Sequence, residues 1–128
     1  MGMYRDKELK VTFSPDAFLL YRNLQEAVKQ EKEHGKETSF YQQLLNAIER
    51  EKEYLNQNPE RGTHIKKKLI PKLYINLYGV NNLWKIDLPS FYRMLYTIDT
   101  SGKTVINSII LTIVDHDQYN KIFGYRKK

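Results

Sequence analysis

Apolar and polar residues follow three successive strand-like patterns in the C-terminal half of the chain. Leu83–Leu88 alternates from Trp84 onward, Phe91–Ile98 is rich in aromatic and β-branched residues, and Val105–Val114 is almost continuously apolar. The first two segments are separated only by Pro89-Ser90, which predicts a tight turn, and the second turn falls at Asp99–Gly102. The pattern therefore predicts an antiparallel meander of three strands.

The N-terminal half combines one strand pattern with two helix patterns. Leu9–Ser14 alternates, and Ser14-Pro15 is typical of a helix entrance, with serine as the N-cap and proline in the first turn. We expect the first helix to reach His34 and the second to run from a Thr38 or Ser39 cap to Asn58. Apolar side chains at three- and four-residue spacing predict the buried stripes: Ala17, Leu20, Tyr21, Leu24, Ala27 and Val28, then Tyr41, Leu44, Leu45, Ile48 and Leu55, with the stem of Lys52.

The remaining segments complete the predicted fold. Leu73–Tyr78 suggests a further strand that starts after Pro71 at a sheet edge, and Asp115 is a suitable cap for a short helix over residues 116–123. Gly124 would end that helix, and residues 125–128 would fray. The expected architecture is α+β in one domain over residues 1–128: β-α-α, then three or four antiparallel strands, then a short C-terminal helix. Two helices would cover one sheet face, and the other face must be polar or occupied.

Composition narrows the possible functions. No apolar run approaches the roughly 20 residues of a membrane-spanning helix, so we expect no membrane partner and a cytoplasmic location. The chain has no cysteine, and His34 and His64 lack ligands at useful spacing, so no metal site is predicted. There is also no glycine-rich phosphate loop and no nucleophile elbow, and no cofactor is expected.

Positive charge is concentrated in one segment. The whole formal net charge of +6 lies between Arg61 and Arg93, where Asp87 is the only acid. The bases of this segment are Arg61, Lys66, Lys67, Lys68, Lys72, Lys85 and Arg93. Such segregation favours a surface that meets an anionic partner, although a solvated basic loop would have the same composition.

Four segments, in this order, resemble the RelE/ParE superfamily of toxins from toxin–antitoxin systems. Val11–Ala17 is similar to the opening strand and helix entrance of the family, and Ile48–Gly62 is similar to its "nP..G" turn. The pair LWKIDL and FYRMLY, which begin at Leu83 and Phe91, resembles the central "yki.L…yRvvY" segment. Asp115–Tyr119 resembles the closing "H..Y".

The resemblance implies a function and its residues. RelE-like members cut mRNA, usually on the ribosome, by attack of a ribose 2′-hydroxyl on the adjacent phosphate without a metal. Arg93 and Lys85 match the positions that contact the phosphate, and His116 or Tyr119 matches the acid–base position. The resemblance also implies a cognate antitoxin as protein partner, commonly an acidic, partly helical segment over the basic surface. Lys66, Lys67, Lys68, Lys72 and Arg126 are the expected RNA- or phosphate-binding residues.

The chain departs from the RelE pattern in two places. Asp87 stands where that branch has a second lysine, and the stretch between Gly62 and Leu83 is longer than in compact members. Two alternatives therefore stay open: a ParE-like toxin that binds DNA gyrase without catalysis, and an inactive relative that binds RNA or ribosomes. Convergence of the four candidate side chains on one concave surface would favour the nuclease. An Asp87–Arg93 salt bridge with His116 in the core would favour a binding protein.

Overall fold

The computed structural model describes residues 6–124. Within them the strands are β1 (Glu8–Phe13), β2 (Thr63–Ile65), β3 (Leu83–Asp87), β4 (Arg93–Asp99) and β5 (Val105–Val114). The helices are α1 (Pro15–Glu33), α2 (Phe40–Gln57), α3 (Lys72–Tyr78) and α4 (His116–Phe123). This is the predicted α+β class, and β5 and α4 have the predicted bounds. The expected frayed tail lies outside the described residues.

Side-chain caps begin three of the helices. Ser14 Oγ accepts a hydrogen bond from Ala17 N, and Ser39 Oγ accepts one from Gln42 N, both at 3.1 Å. Asp115 and Gln118 form a reciprocal capping box at the start of α4. Since these bonds satisfy backbone N–H groups that a first helical turn leaves without partners, they explain why the helix starts could be predicted.

The five strands form one sheet in the order β1-β5-β4-β3-β2. The meander β3-β4-β5 is antiparallel as predicted, β2 extends it antiparallel to β3, and β1 pairs with β5 in parallel. A register shift in the β4–β5 ladder leaves Leu111 without a direct partner between Ile110 and Thr112. The extra residue lets β5 send Ile110 and Ile113 to one face and Leu111 and Val114 to the other.

Both faces of the sheet are covered. Helices α1 and α2 pack on one face, where Ala17, Ile48, Leu55, Met94 and Tyr96 are almost fully buried. On the other face, Tyr74 of α3 and Tyr119 of α4 pack around Leu83, Leu95 and Leu111. The second sheet face is thus occupied, one of the two outcomes that the sequence left open.

The predicted strand Leu73–Tyr78 is wrong, because this segment forms α3. Pro71 precedes the helix, and Gly79 ends it in the left-handed conformation with φ +64°. A run of mixed leucine and tyrosine residues is compatible with the two-residue period of a strand and with the 3.6-residue period of a helix. The helix forms because in that conformation Tyr74 packs on the sheet. The edge strand is instead Thr63–Ile65, beside β3.

Three smaller expectations are also corrected. Leu20 and Tyr41 are 44% and 49% exposed, because they line an open groove between α1 and α2 instead of the core. The fourth strand begins at Arg93 and not at Phe91. Residues 89–91 form a single turn of 3₁₀ helix between β3 and β4.

The turn after α2 is held by a buried hydroxyl. Tyr96 Oη donates a hydrogen bond to the Pro59 carbonyl at 2.7 Å and accepts one from Gly62 N at 3.0 Å. A Cβ at position 62 would lie 2.5 Å from the Lys85 carbonyl oxygen, so this position requires glycine for close approach. The turn thereby delivers β2 alongside Lys85.

Candidate functional site

The candidate site lies where β3 and β5 end and β4 begins. Arg93 begins β4 and is paired with Asp87 at the end of β3 and with Val114 at the end of β5. Helix α4 starts two residues after Val114, so the meander itself brings His116 and Tyr119 beside Arg93. Residues distant in the chain thus meet at one end of the central strands of the sheet.

The Arg93 side chain is held from two sides. Its Nε lies 3.1 Å from Asp87 Oδ1, an ion-pair distance at which the N–H is not aligned for a hydrogen bond. Its Nη1 donates a hydrogen bond of 2.8 Å to the Phe91 carbonyl. Only 16% of the arginine side chain is exposed, against 73% of the aspartate. The guanidinium is therefore fixed in position, and a carboxylate offsets part of its charge.

Tyr119 supports two cations. Its ring lies 5.2 Å from the Arg93 guanidinium carbon and 5.6 Å from Lys85 Nζ, within cation–π range of both. The ring is buried and stacks on Phe123 at 4.4 Å. The buried tyrosine ring is consequently a fixed surface against which both positively charged groups pack.

His116 is exposed and belongs to the rim of this site. Its ring centroid lies 6.0 Å from that of Phe91, and its Nε2 lies 3.3 Å from the side-chain nitrogen of Asn120. Although three-residue spacing predicts one helix face for His116 and Tyr119, the first is open to solvent and the second is buried. The imidazole is therefore accessible from solvent at the margin of the site.

The site agrees in part with the arrangement expected for a nuclease and in part with that expected for a binding protein. Arg93, Lys85 and Tyr119 come together, with His116 at the side, which agrees with the arrangement expected for a nuclease. Asp87 does pair with Arg93, as expected for a binding protein, but His116 is not in the core. The Asp87 carboxylate is exposed to solvent beside the guanidinium, so a phosphate that approached Arg93 would be repelled by this neighbouring negative charge.

The basic segment separates into paired and unpaired charges. Arg61 Nε and Nη2 donate hydrogen bonds of 2.9 and 3.2 Å to the buried Glu51, and this partner raises the pKa of Arg61. In contrast, Lys66, Lys67, Lys68 and Lys72 are exposed in and around the connection from β2 to α3, with no ion pair inside residues 6–124. These four lysines, here called the lysine patch, follow the edge strand β2, which runs antiparallel to β3 and leads away from its Asp87 end. Arg126 lies outside the described residues.

Two absences hold for the described part of the chain. No group of three or more His, Asp or Glu side chains in residues 6–124 is placed to hold a metal ion. No helix in that range has the length and apolar character needed to cross a bilayer.

One feature of the site was left open by the sequence and another was not predicted. The sequence offers an Asp87–Arg93 ion pair as one of two outcomes, and the β3–β4 register decides that it forms. Phe91, which the sequence predicts in a strand, lies in the turn before β4. Pro89-Ser90-Phe91 contains no glycine, so the sequence carries no local signal for the positive φ of Ser90 and Phe91.

The arrangement defines an α+β fold in which helices cover both faces of a mostly antiparallel sheet. Two basic side chains, Lys85 and Arg93, lie near one end of its central strands. The sequence matches no model of a known family and no curated protein. Among solved structures, the fold is similar to a chain of the YoeB dimer from Staphylococcus aureus, with a TM-score of 0.51 and 18% identity. The match covers 85% of this chain and 98% of that chain. This likeness confirms the predicted α+β fold class.

Proposed function

We propose that the protein is the toxin of a toxin–antitoxin pair and acts as a metal-independent endoribonuclease on mRNA, in the cytoplasm and with the ribosome. The observation that carries the proposal is the presentation of Arg93 and Lys85 over the Tyr119 ring, with His116 beside them. The likeness to YoeB, a RelE-superfamily toxin, supports it. A cognate antitoxin is the corresponding protein partner.

In the proposed reaction, a ribose 2′-oxygen attacks the adjacent phosphorus. The new O–P bond forms as the bond from phosphorus to the 5′-oxygen breaks, which leaves a 2′,3′-cyclic phosphate and a 5′-hydroxyl end. One proton leaves the 2′-hydroxyl and one reaches the 5′-oxygen, and His116 and Tyr119 are the groups assigned to these transfers. Arg93 and Lys85 stabilise the negative charge that develops on the phosphorane oxygens.

The test starts with induced expression of the chain without an antitoxin, followed by primer extension on a reporter mRNA. We expect discrete in-frame cuts that disappear with Arg93→Ala, since loss of one charge-stabilising group typically costs about 10²–10³-fold in rate. Arg93→Lys keeps the charge without the planar fork and should recover part of the activity. Circular dichroism and thermal unfolding of each variant check that the fold is intact.

Tyr119 needs a variant that separates its ring from its hydroxyl. Tyr119→Phe keeps the surface on which Lys85 and Arg93 lie, so loss of cleavage in this variant would support proton transfer by the hydroxyl. Full activity of Tyr119→Phe, with loss in His116→Ala, would assign the acid–base step to His116 alone. Full activity of both variants would exclude the proposed proton-transfer roles.

A second candidate is favoured by the Asp87–Arg93 pair, which weakens the phosphate site. In this case the protein would be a non-enzymatic toxin that binds DNA gyrase, or an inactive relative that binds RNA. Growth arrest with intact mRNA, and inhibition of gyrase supercoiling by the purified protein, would identify the gyrase-binding form. Ribosome binding without cuts would identify the inactive relative.

A further inference from the structure

The turn between β3 and β4 holds two consecutive residues in an unfavourable backbone conformation. Ser90 and Phe91 have φ values of +59° and +64°, the left-handed region that glycine adopts easily and bulky side chains rarely adopt. Elsewhere in residues 6–124, Gly35, Gly79 and Gly124 occupy the same region, as does Asp6 at the start of the range. Non-glycine residues in such conformations persist where the surrounding structure requires them, and they are concentrated at functional sites.

Burial does not compensate for this conformation. Phe91 is 72% exposed, more than any other large apolar side chain in residues 6–124. Its backbone nevertheless belongs to the candidate site, because the Phe91 carbonyl accepts the 2.8 Å hydrogen bond from Arg93 Nη1. The same turn therefore positions the guanidinium and projects an aromatic ring into solvent next to it.

The Phe91 ring lies next to the ring of His116. The His116 ring lies 6.0 Å away between centroids, and the two planes are inclined by 56°. An exposed aromatic ring next to a cation can stack an unpaired nucleobase on its free face while the phosphate of the same strand contacts the cation. Stacking of this kind accepts any base, since every base has a π face.

We propose that Phe91, with the ring of His116, is a stacking platform that binds one base of single-stranded RNA and so places the adjoining phosphate at Arg93. Phe91 is then a positioning residue for substrate, and the inference rests on the proposed function. Lys85 and Arg93 favour RNA as the ligand over an apolar partner segment, since both cations lie on the Tyr119 ring at this edge.

Three variants of Phe91 separate stacking from folding. Phe91→Gly removes the ring and also relieves the backbone, so it should bind RNA less tightly while the protein keeps or raises its melting temperature. Phe91→Leu keeps an apolar side chain without a ring, and Phe91→Trp keeps a stacking surface. All three are measured with a short single-stranded RNA that carries 2-aminopurine, whose fluorescence is quenched on stacking, and by thermal unfolding.

We expect Phe91→Gly and Phe91→Leu to lose about ten-fold in RNA affinity and to lose the 2-aminopurine quenching, while Phe91→Trp retains both. Unchanged affinity in Phe91→Gly, with wild-type cleavage, would overturn the platform and leave the nuclease intact. A melting temperature that falls with affinity would show a structural role and overturn the inference.

Two further results would also reject the platform. Lost growth arrest at unchanged RNA affinity would reassign Phe91 to a protein contact. A wild-type chain that neither binds nor cuts RNA would reject the proposed function together with the platform.

Discussion

Arg93 and Asp87 face each other across the β3–β4 ladder, with Nε 3.1 Å from Oδ1. The pair is asymmetric, because the arginine is largely covered and the carboxylate extends into water. Ion pairs with an exposed partner contribute only about 0–1 kcal/mol to stability. The main consequence of Asp87 is therefore electrostatic: it lowers the positive charge available to a phosphate at Arg93.

Asp87→Asn should strengthen binding of RNA. Removal of the carboxylate leaves the Arg93 charge less compensated, so we expect tighter binding at low salt and a change of less than about 1 kcal/mol in the free energy of unfolding. Fluorescence anisotropy with a single-stranded RNA and chemical denaturation measure the two effects. Glu8→Gln, at an exposed carboxylate on β1, is the matched control. Weaker binding in Asp87→Asn would mean that the carboxylate itself contacts the RNA.

The lysine patch should determine the salt dependence of binding. Each phosphate contact on a single strand contributes about 0.7 to the slope of log affinity against log salt, so Lys66→Ala with Lys68→Ala should lower the slope by up to about 1.4. Lys29→Ala with Lys32→Ala removes the same charge from exposed positions of α1. Equal slopes in the two double variants would show that RNA does not follow the patch.

Tyr96 and Tyr74 form a test of buried hydroxyls. Tyr96→Phe leaves the Pro59 carbonyl and Gly62 N–H without their partner and should cost about 1–3 kcal/mol in the free energy of unfolding. The buried Tyr74 hydroxyl makes no hydrogen bond in residues 6–124, and its burial raises the pKa of Tyr74. Tyr74→Phe should therefore be neutral or stabilising. Urea denaturation of both variants measures the difference, and a large loss in Tyr74→Phe would contradict this account of α3.

Acid should weaken the connection between α1 and α2 through Glu31. The Ser39 hydroxyl donates a hydrogen bond to Glu31 and is the main cause that lowers its pKa, with the Gln42 amide and Lys36 adding to the effect against burial. A lowered carboxyl pKa gives stability that is present above the ordinary value of 4.5 and is lost as the pH falls through the folded-state pKa.

Glu31→Gln should accordingly be less stable than wild type at pH 7, with the difference shrinking as the pH falls below 4.5. Melting temperatures across this pH range test the prediction. Glu37→Gln is the control, because Glu37 is exposed on the same connection and makes no ion pair within the described chain. A difference in melting temperature that stays constant with pH would exclude titration of Glu31 as the cause.

The predicted site was partly recoverable from the sequence. The similarity of LWKIDL and FYRMLY to a known pattern indicates Lys85 and Arg93, and the structure places both cations against the Tyr119 ring. The role of Tyr119 as the surface beneath both cations did not follow, since a helix pattern does not tell which sheet residues its buried side chain will meet. The pairing of Arg61 with Glu51 likewise depends on the turn at Pro59–Arg61, which brings the arginine back onto α2.

Local sequence is sufficient to predict the elements whose ends are set by local chemistry. Ser14, Ser39 and Asp115 cap their helices with their own side chains, and the apolar run Val105–Val114 is a strand from its first residue to its last. The three-dimensional packing fixes that residues 72–78 form a helix, that Asp87 faces Arg93, and that Phe91 adopts a positive φ. The helix arises because Tyr74 packs on sheet residues distant in the chain, whereas the other two outcomes follow from the register of the consecutive strands β3 and β4. In each case side chains without a strong local preference take the conformation that the surrounding sheet imposes.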